Sequence, residues 1–233
     1  MKRLDLWSYE IGRAGPAALV VPPVIVLLTG LLAVFGGRLG SREGATAWMI
    51  LGTVEAGFPL VTGIAAASLI GRDHAVELQL TLPSRYRVTL LRRLAVTFGW
   101  TAVCASAGSV LFIATGWWDV LPGTPDGLAG QLTWLAPTLW LTALGLLAAA
   151  VFRSTVAATT TVAMVWLLEQ IATDALRGNA VSRWLYLFAT SHRPVSADWL
   201  GNRVTLLVTA ILLLVAAWPL LGDTERVLGG ETE

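Results

Sequence analysis

Six stretches of this chain stay apolar for about twenty residues or more: roughly 15–36, 46–70, 88–116, 131–152, 154–173 and 203–221. Wound into a helix, a run of that length matches the ~30 Å hydrocarbon core of a bilayer. Inside lipid the backbone finds no water to bond with, and a helix satisfies its own N–H and C=O groups. The sequence therefore predicts an all-α integral membrane protein, one transmembrane domain over 1–233 with six spanning helices. Charged residues make up 13% of the chain, about half the ~25% usual in soluble domains. The longest pieces outside the runs, 71–87 and 174–202, are each too short to bury a core of their own.

Several chemistries are excluded by what the chain lacks. A net charge of +1 gives no basic excess for nucleic acid. Lys2 is the only lysine, so no phosphate-binding loop of the form GxxxxGK[ST] exists. His74 and His192 are the only histidines and both lie in loops, which rules out an HExxH zinc site and leaves a serine at membrane depth without a base. The reading assigns no catalytic residues, metal ligands or cofactor to this chain. Cys104, the single cysteine, cannot form an intramolecular disulfide and says nothing about compartment. The N-terminus does not read as a cleavable signal: Lys2 and Arg3 are followed by Asp5 and Glu10, and no small-x-small site follows the long first run.

Sidedness comes from the cationic residues. Ten of them (Lys2, Arg3, Arg13, Arg72, Arg85, Arg87, Arg92, Arg93, Arg153 and Arg226) fall on the side of the termini and the 71–87 loop. Six (Arg38, Arg42, Arg177, Arg183, Arg193 and Arg203) fall on the other. The positive-inside rule then places both termini and 71–87 in the cytoplasm, with 117–130 and 174–202 outside.

Two carboxylates interrupt apolar runs, Glu55 in the second and Glu169 in the fifth. A charge at bilayer depth costs on the order of 3 kcal/mol on insertion scales, so it normally faces a partner or a wet cavity. A substrate or proton path and a plain interhelical hydrogen bond both fit. Trp140 and Trp166 lie deeper than the other tryptophans, where they either line a cavity or pack between helices. Thr159 belongs to a threonine-rich stretch, with Thr155, Thr160 and Thr161, whose hydroxyls bond back to carbonyls or to a neighbouring helix. The 174–202 loop is too apolar for a free linker, and its Trp184–Phe188 stretch suggests short helices dipping into the outer leaflet before the last span.

Residues 2–14 read as an amphipathic helix on the membrane surface or as a frayed tail. In the 71–87 loop, Asp73 can cap a short helix that must stop near Leu82 because Pro83 follows. Its apolar side, Val76, Leu78, Leu80 and Leu82, would dock in a groove on another protein or rest on lipid.

Six spans, a short N-terminal helix and the string E-x-x-L-x-L-P-S-R from Glu77 to Arg85 resemble the permease subunit of type-two ATP-binding-cassette exporters. DWLGNR at 198–203 and DTERVL at 223–228 are also similar to the endings of many bacterial members. The resemblance implies a pair of permeases, as a homo- or heterodimer joined mainly through the first and fifth spans. Separate ATPase subunits would carry the ATP and Mg. It makes the 71–87 helix the coupling element, with Arg72, Asp73, Glu77, Leu78, Leu80, Pro83 and Arg85 meeting the ATPase. It also implies a bacterial inner membrane location, to which arginine use over lysine adds a hint of a GC-rich genome. Lacking a large extracellular domain, the chain departs from the macrolide-type members. Two other readings use the same scaffold: a non-transporting immunity or assembly factor, and a secondary transporter driven by protons through Glu55. The two halves of the chain show no clear repeat, the mark of many secondary transporters.

Overall fold

A computed structural model describes residues 15–36, 43–69, 86–121, 123, 125, 127–191 and 198–221. Among these residues the chain is all-helical, with no strand. In order they form α1 (Pro16–Phe35), α2 (Glu43–Ser68), α3 (Tyr86–Ala114), α4 (Gly127–Phe152), α5 (Thr155–Ile171), α6 (Thr173–Gly178), a 3-10 turn (Ser182–Trp184) and α7 (Trp199–Leu220). Five of the helices (α1, α2, α3, α4 and α7) are long and apolar enough to cross a membrane. This is an all-α membrane protein.

The fifth expected span behaves differently. α5 has 17 residues, at the short end of the ~17–25 that cross a bilayer. It ends at Ile171, and the chain turns at once into α6. Three other spans start about one turn earlier than their apolar runs, at Glu43 instead of 46, at Gly127 instead of 131 and at Trp199 instead of 203. The expected interfacial helix over 2–14 and coupling helix in 71–85 lie outside the described residues.

α2 and α4 form the central pair. α1 and α3 pack on α2, α7 packs on α4, and α5 touches both α2 and α4. Lipid tails are as apolar as leucine, so small residues that let backbones approach drive such contacts. A Cβ built on Gly145 of α4 would lie 2.5 Å from the Gly63 carbonyl oxygen and 3.1 Å from the Ala67 nitrogen of α2. Only glycine fits that approach. Ala66, Ala67, Ala136 and Ala143 are buried along the same two helices.

α1 shows why the bundle needs its tryptophans. Ala18, Ile25, Thr29 and Ala33 form its buried stripe, while Val20, Val24, Leu27, Leu31 and Val34 face outwards. Pro23 has no N–H to give the Leu19 carbonyl four residues back. The Trp100 indole of α3 donates to that carbonyl instead, at 2.9 Å. Trp117 likewise donates to the Ala33 carbonyl at 2.9 Å, in the last turn of α1 where helical partners run out. α4 and α5 are joined by Arg153 and Ser154 alone. Arg153 takes the left-handed conformation (φ 54°), and the Ser154 hydroxyl caps α5 by accepting from the Ala157 N–H at 3.3 Å.

Candidate functional site

The segment between α5 and α7 does not span, yet part of it is as buried as the helix seams. α6 and the 3-10 turn are pinned locally. The Asn179 side-chain oxygen accepts from the Val181 N–H at 2.9 Å and the Ser182 N–H at 3.3 Å, and the Ser182 hydroxyl donates to the Leu176 carbonyl at 2.8 Å. The chain then enters the bundle, and Tyr186, Leu187, Phe188, Ala189 and Thr190 are all buried. An irregular backbone has no ladder of its own, so each buried N–H and C=O needs an outside partner.

Side chains from three helices supply them. Glu55 of α2 accepts from the Thr190 N–H at 3.0 Å and the Ser191 N–H at 2.6 Å, one on each carboxylate oxygen. Glu169 of α5 accepts from the Leu187 N–H at 2.6 Å. Asn202 of α7 turns its amide nitrogen to the carbonyls of Arg183, Trp184 and Tyr186, at 2.9, 3.1 and 3.0 Å. Arg203 of α7 donates to the Leu187 carbonyl at 2.8 Å, to the Thr190 hydroxyl at 2.7 Å and to Glu55. Trp199 donates to the same Thr190 hydroxyl at 2.9 Å.

Glu55 and Arg203 are both fully buried (0% side-chain exposure) and form an ion pair. Neither charge would be tolerable there alone; paired and hydrogen-bonded, they leave a nearly neutral unit. The Arg203 guanidinium also lies 5.5 Å from the Trp199 ring centre. Phe188 makes edge-to-face contacts with Tyr186 at 6.1 Å and Trp166 at 6.2 Å. The Tyr186 phenol donates to Thr173 at 3.3 Å, and burial pushes its pKa up to about 12.

No protein-family model, curated protein or solved structure matches this chain. The site therefore rests on its own geometry.

Of the residues singled out in the sequence, Glu55 and Glu169 meet on this one loop. Trp166 joins them from α5, donating to the Ala56 carbonyl at 3.0 Å. Trp140 stands apart and donates to the Thr209 hydroxyl at 3.1 Å, a bond between α4 and α7. Thr159 bonds back to the Thr155 carbonyl at 2.7 Å within its own helix. Arg72, Asp73, Glu77, Leu78, Leu80, Pro83 and Arg85 lie outside the described residues. Sequence reasoning missed Arg203, Asn202, Thr190 and Trp199, having counted Arg203 only as a flanking charge. The signal was partial: Glu55 lies inside an apolar run with no counter-charge nearby in sequence, while Arg203 opens the last run and reads as a flanking charge. Among the described residues no group of three or more His, Cys, Asp or Glu is placed to hold a metal ion.

Proposed function

We propose that this chain is the permease subunit of a type-two ATP-binding-cassette exporter, with six spans including the short α5. In this reading it works in the bacterial inner membrane with both termini cytoplasmic, pairs with a second permease, and draws its power from a separate ATPase. The observation that carries the proposal is the depth of the loop. Thr190 and Ser191 bond to Glu55, which lies twelve residues into the 26-residue α2, about 18 Å along its axis. Non-helical backbone at that depth is tolerated where protein covers it or where it lines a cavity, and it is typical of transport paths. α5 stops after 17 residues, and the chain turns into α6 and the buried loop. The loop would close the outer mouth of the path, with Glu55 and Arg203 as its latch. Glu55 already holds Arg203 and two amides, so a latch suits it better than a proton carrier. The apolar outer faces of α1 and α5 suit lipid or the second permease.

The test is affinity purification of the tagged full-length chain from native membranes in mild detergent. An ATPase with a phosphate-binding loop should co-purify. Leu80→Asp should release it while the permease stays inserted, since one buried leucine anchor is worth about 2 kcal/mol, roughly thirtyfold in affinity. Failure of any such ATPase to accompany the wild-type chain would sink the proposal.

A further inference from the structure

α2 packs as two halves with different neighbours. In its first half Ala47, Ile50 and Leu51 share a buried cluster with Ala33 of α1 and Phe112 of α3. In its second half Ala66 shares another with Leu90, Leu146 and Ala217. There the backbone of Gly63 meets Gly145 of α4, and the Thr62 hydroxyl donates to the Thr101 hydroxyl of α3 at 3.3 Å. The second half is thereby held to α3 and α4.

Residues 55–59, EAGFP, join the halves. Pro59 has no N–H for the Glu55 carbonyl four residues back, and its ring crowds that carbonyl. Gly57, two residues earlier, has no Cβ to resist a change of φ and ψ. Sharp kinks in long helices fall at such places. Bonds from outside α2 brace this weak point. Glu55 is tied to the Thr190 and Ser191 amides and to Arg203. Trp166 of α5 donates to the Ala56 carbonyl at 3.0 Å, and its ring meets Phe188 of the loop edge-on at 6.2 Å. Both braces run through the loop or through a residue packed on it. Space for a tilt is also present. A cavity of about 520 Å³ is lined by Met49, Gly52 and Thr53 of the first half together with Gln170 and Ser191.

We propose that residues 55–59 are a hinge and that the buried loop is its splint. When the loop leaves, the first half of α2 tilts on the second, which the glycine contact keeps on α4. Release of the loop and widening of the mouth are then one event. The inference rests on the loop being the closing element of the proposed path, and it involves neither the ATPase nor a substrate. Ala45 lies twelve residues before Gly57, about 18 Å along the helix. A kink of about 20° at Gly57 would therefore carry it about 6 Å.

Double electron–electron resonance on the full-length chain in nanodiscs reads this movement. Spin labels on Ala45→Cys and Leu91→Cys, both exposed positions, are placed in a Cys104→Ser background. Leu91 adjoins Leu90 of the second-half cluster and serves as the fixed point. Loop release is scored separately, by maleimide labelling of Ala189→Cys. Arg203→Ala should release the loop and shift the Ala45–Leu91 distance by several ångströms. Glu55→Gln combined with Arg203→Gln releases the loop without leaving a buried charge unpaired, and the same shift is expected. Adding Pro59→Ala, which restores the missing N–H, should cut the shift by at least half while the loop stays released. A released loop with an unmoved distance in both variants would overturn the hinge and leave the latch standing. An equal shift with and without Pro59 would overturn it too. If neither variant releases the loop, the latch itself falls and takes the hinge with it.

Discussion

About two turns apart on α2, Gly63 and Glu55 hold their neighbours by opposite means. At Gly63 the α4 backbone comes so near that a Cβ on Gly145 would lie 2.5 Å from a carbonyl oxygen. The three atoms nearest that Cβ are two backbone atoms and the Ala67 methyl. At Glu55 the neighbour is an irregular loop, and what holds it is a carboxylate, a guanidinium and an amide bonded to its backbone. The first contact depends on volume and is indifferent to charge. The second depends on charge and hydrogen bonds, and volume matters less. Both sit in the same helix because lipid gives apolar contact little advantage, so close fit or polarity must decide where a segment stays.

The sharpest break is at the latch. Arg203→Ala leaves Glu55 buried with no counter-charge, which should cost about 3–5 kcal/mol. The loop should open before the bundle does. With Ala189→Cys in a Cys104→Ser background, maleimide labelling of the loop should speed up by about 100-fold or more. Labelling as slow as in the parent protein would show that the ion pair does not hold the loop. Gly145→Val tests the other contact. Overpacking there should cost about 1–3 kcal/mol and lower the thermal unfolding midpoint in detergent, while Ala189→Cys labelling at low temperature stays near the parent rate. If Gly145→Val frees the loop as much as Arg203→Ala, the two contacts are not separable. The smallest effect belongs to Tyr186. Its phenol titrates higher folded (about 12) than in its ordinary state (10.0), so its contribution is fully present below pH about 10 and fades as pH rises towards 12. Tyr186→Phe should cost about 1 kcal/mol at neutral pH through the lost bond to Thr173. It should also remove the part of the alkaline loosening that this phenol causes, read as labelling rate against pH.

The seam was nearly invisible in the sequence, because Gly63 and Gly145 are two of 23 glycines and nothing local says which pair meets. The spans were legible because hydrocarbon thickness sets a length that periodicity cannot disguise. Glu55 and Glu169 stood out for the same reason, as charges where charge is costly. Their common purpose did not, because both act on the backbone of Leu187, Thr190 and Ser191, and backbone leaves no mark on residue identity. Arg203 was hidden by position: four residues after Trp199, it reads as an interfacial anchor until the fold shows α7 beginning deep beside the loop.

The latch joins residues 148 positions apart in the chain. A ribosome working at about 5–20 residues per second delivers Arg203 roughly 7–30 s after Glu55. Through that interval α2 must enter the bilayer with a carboxylate that has neither its cation nor its loop, at a cost of order 3 kcal/mol for a charge at helix centre. The second helix is thus a poor passenger until the last one arrives. The expected consequence is a late step in biogenesis, in which the final helix neutralises an early one, and chains stalled before residue 203 should be the ones that quality control removes.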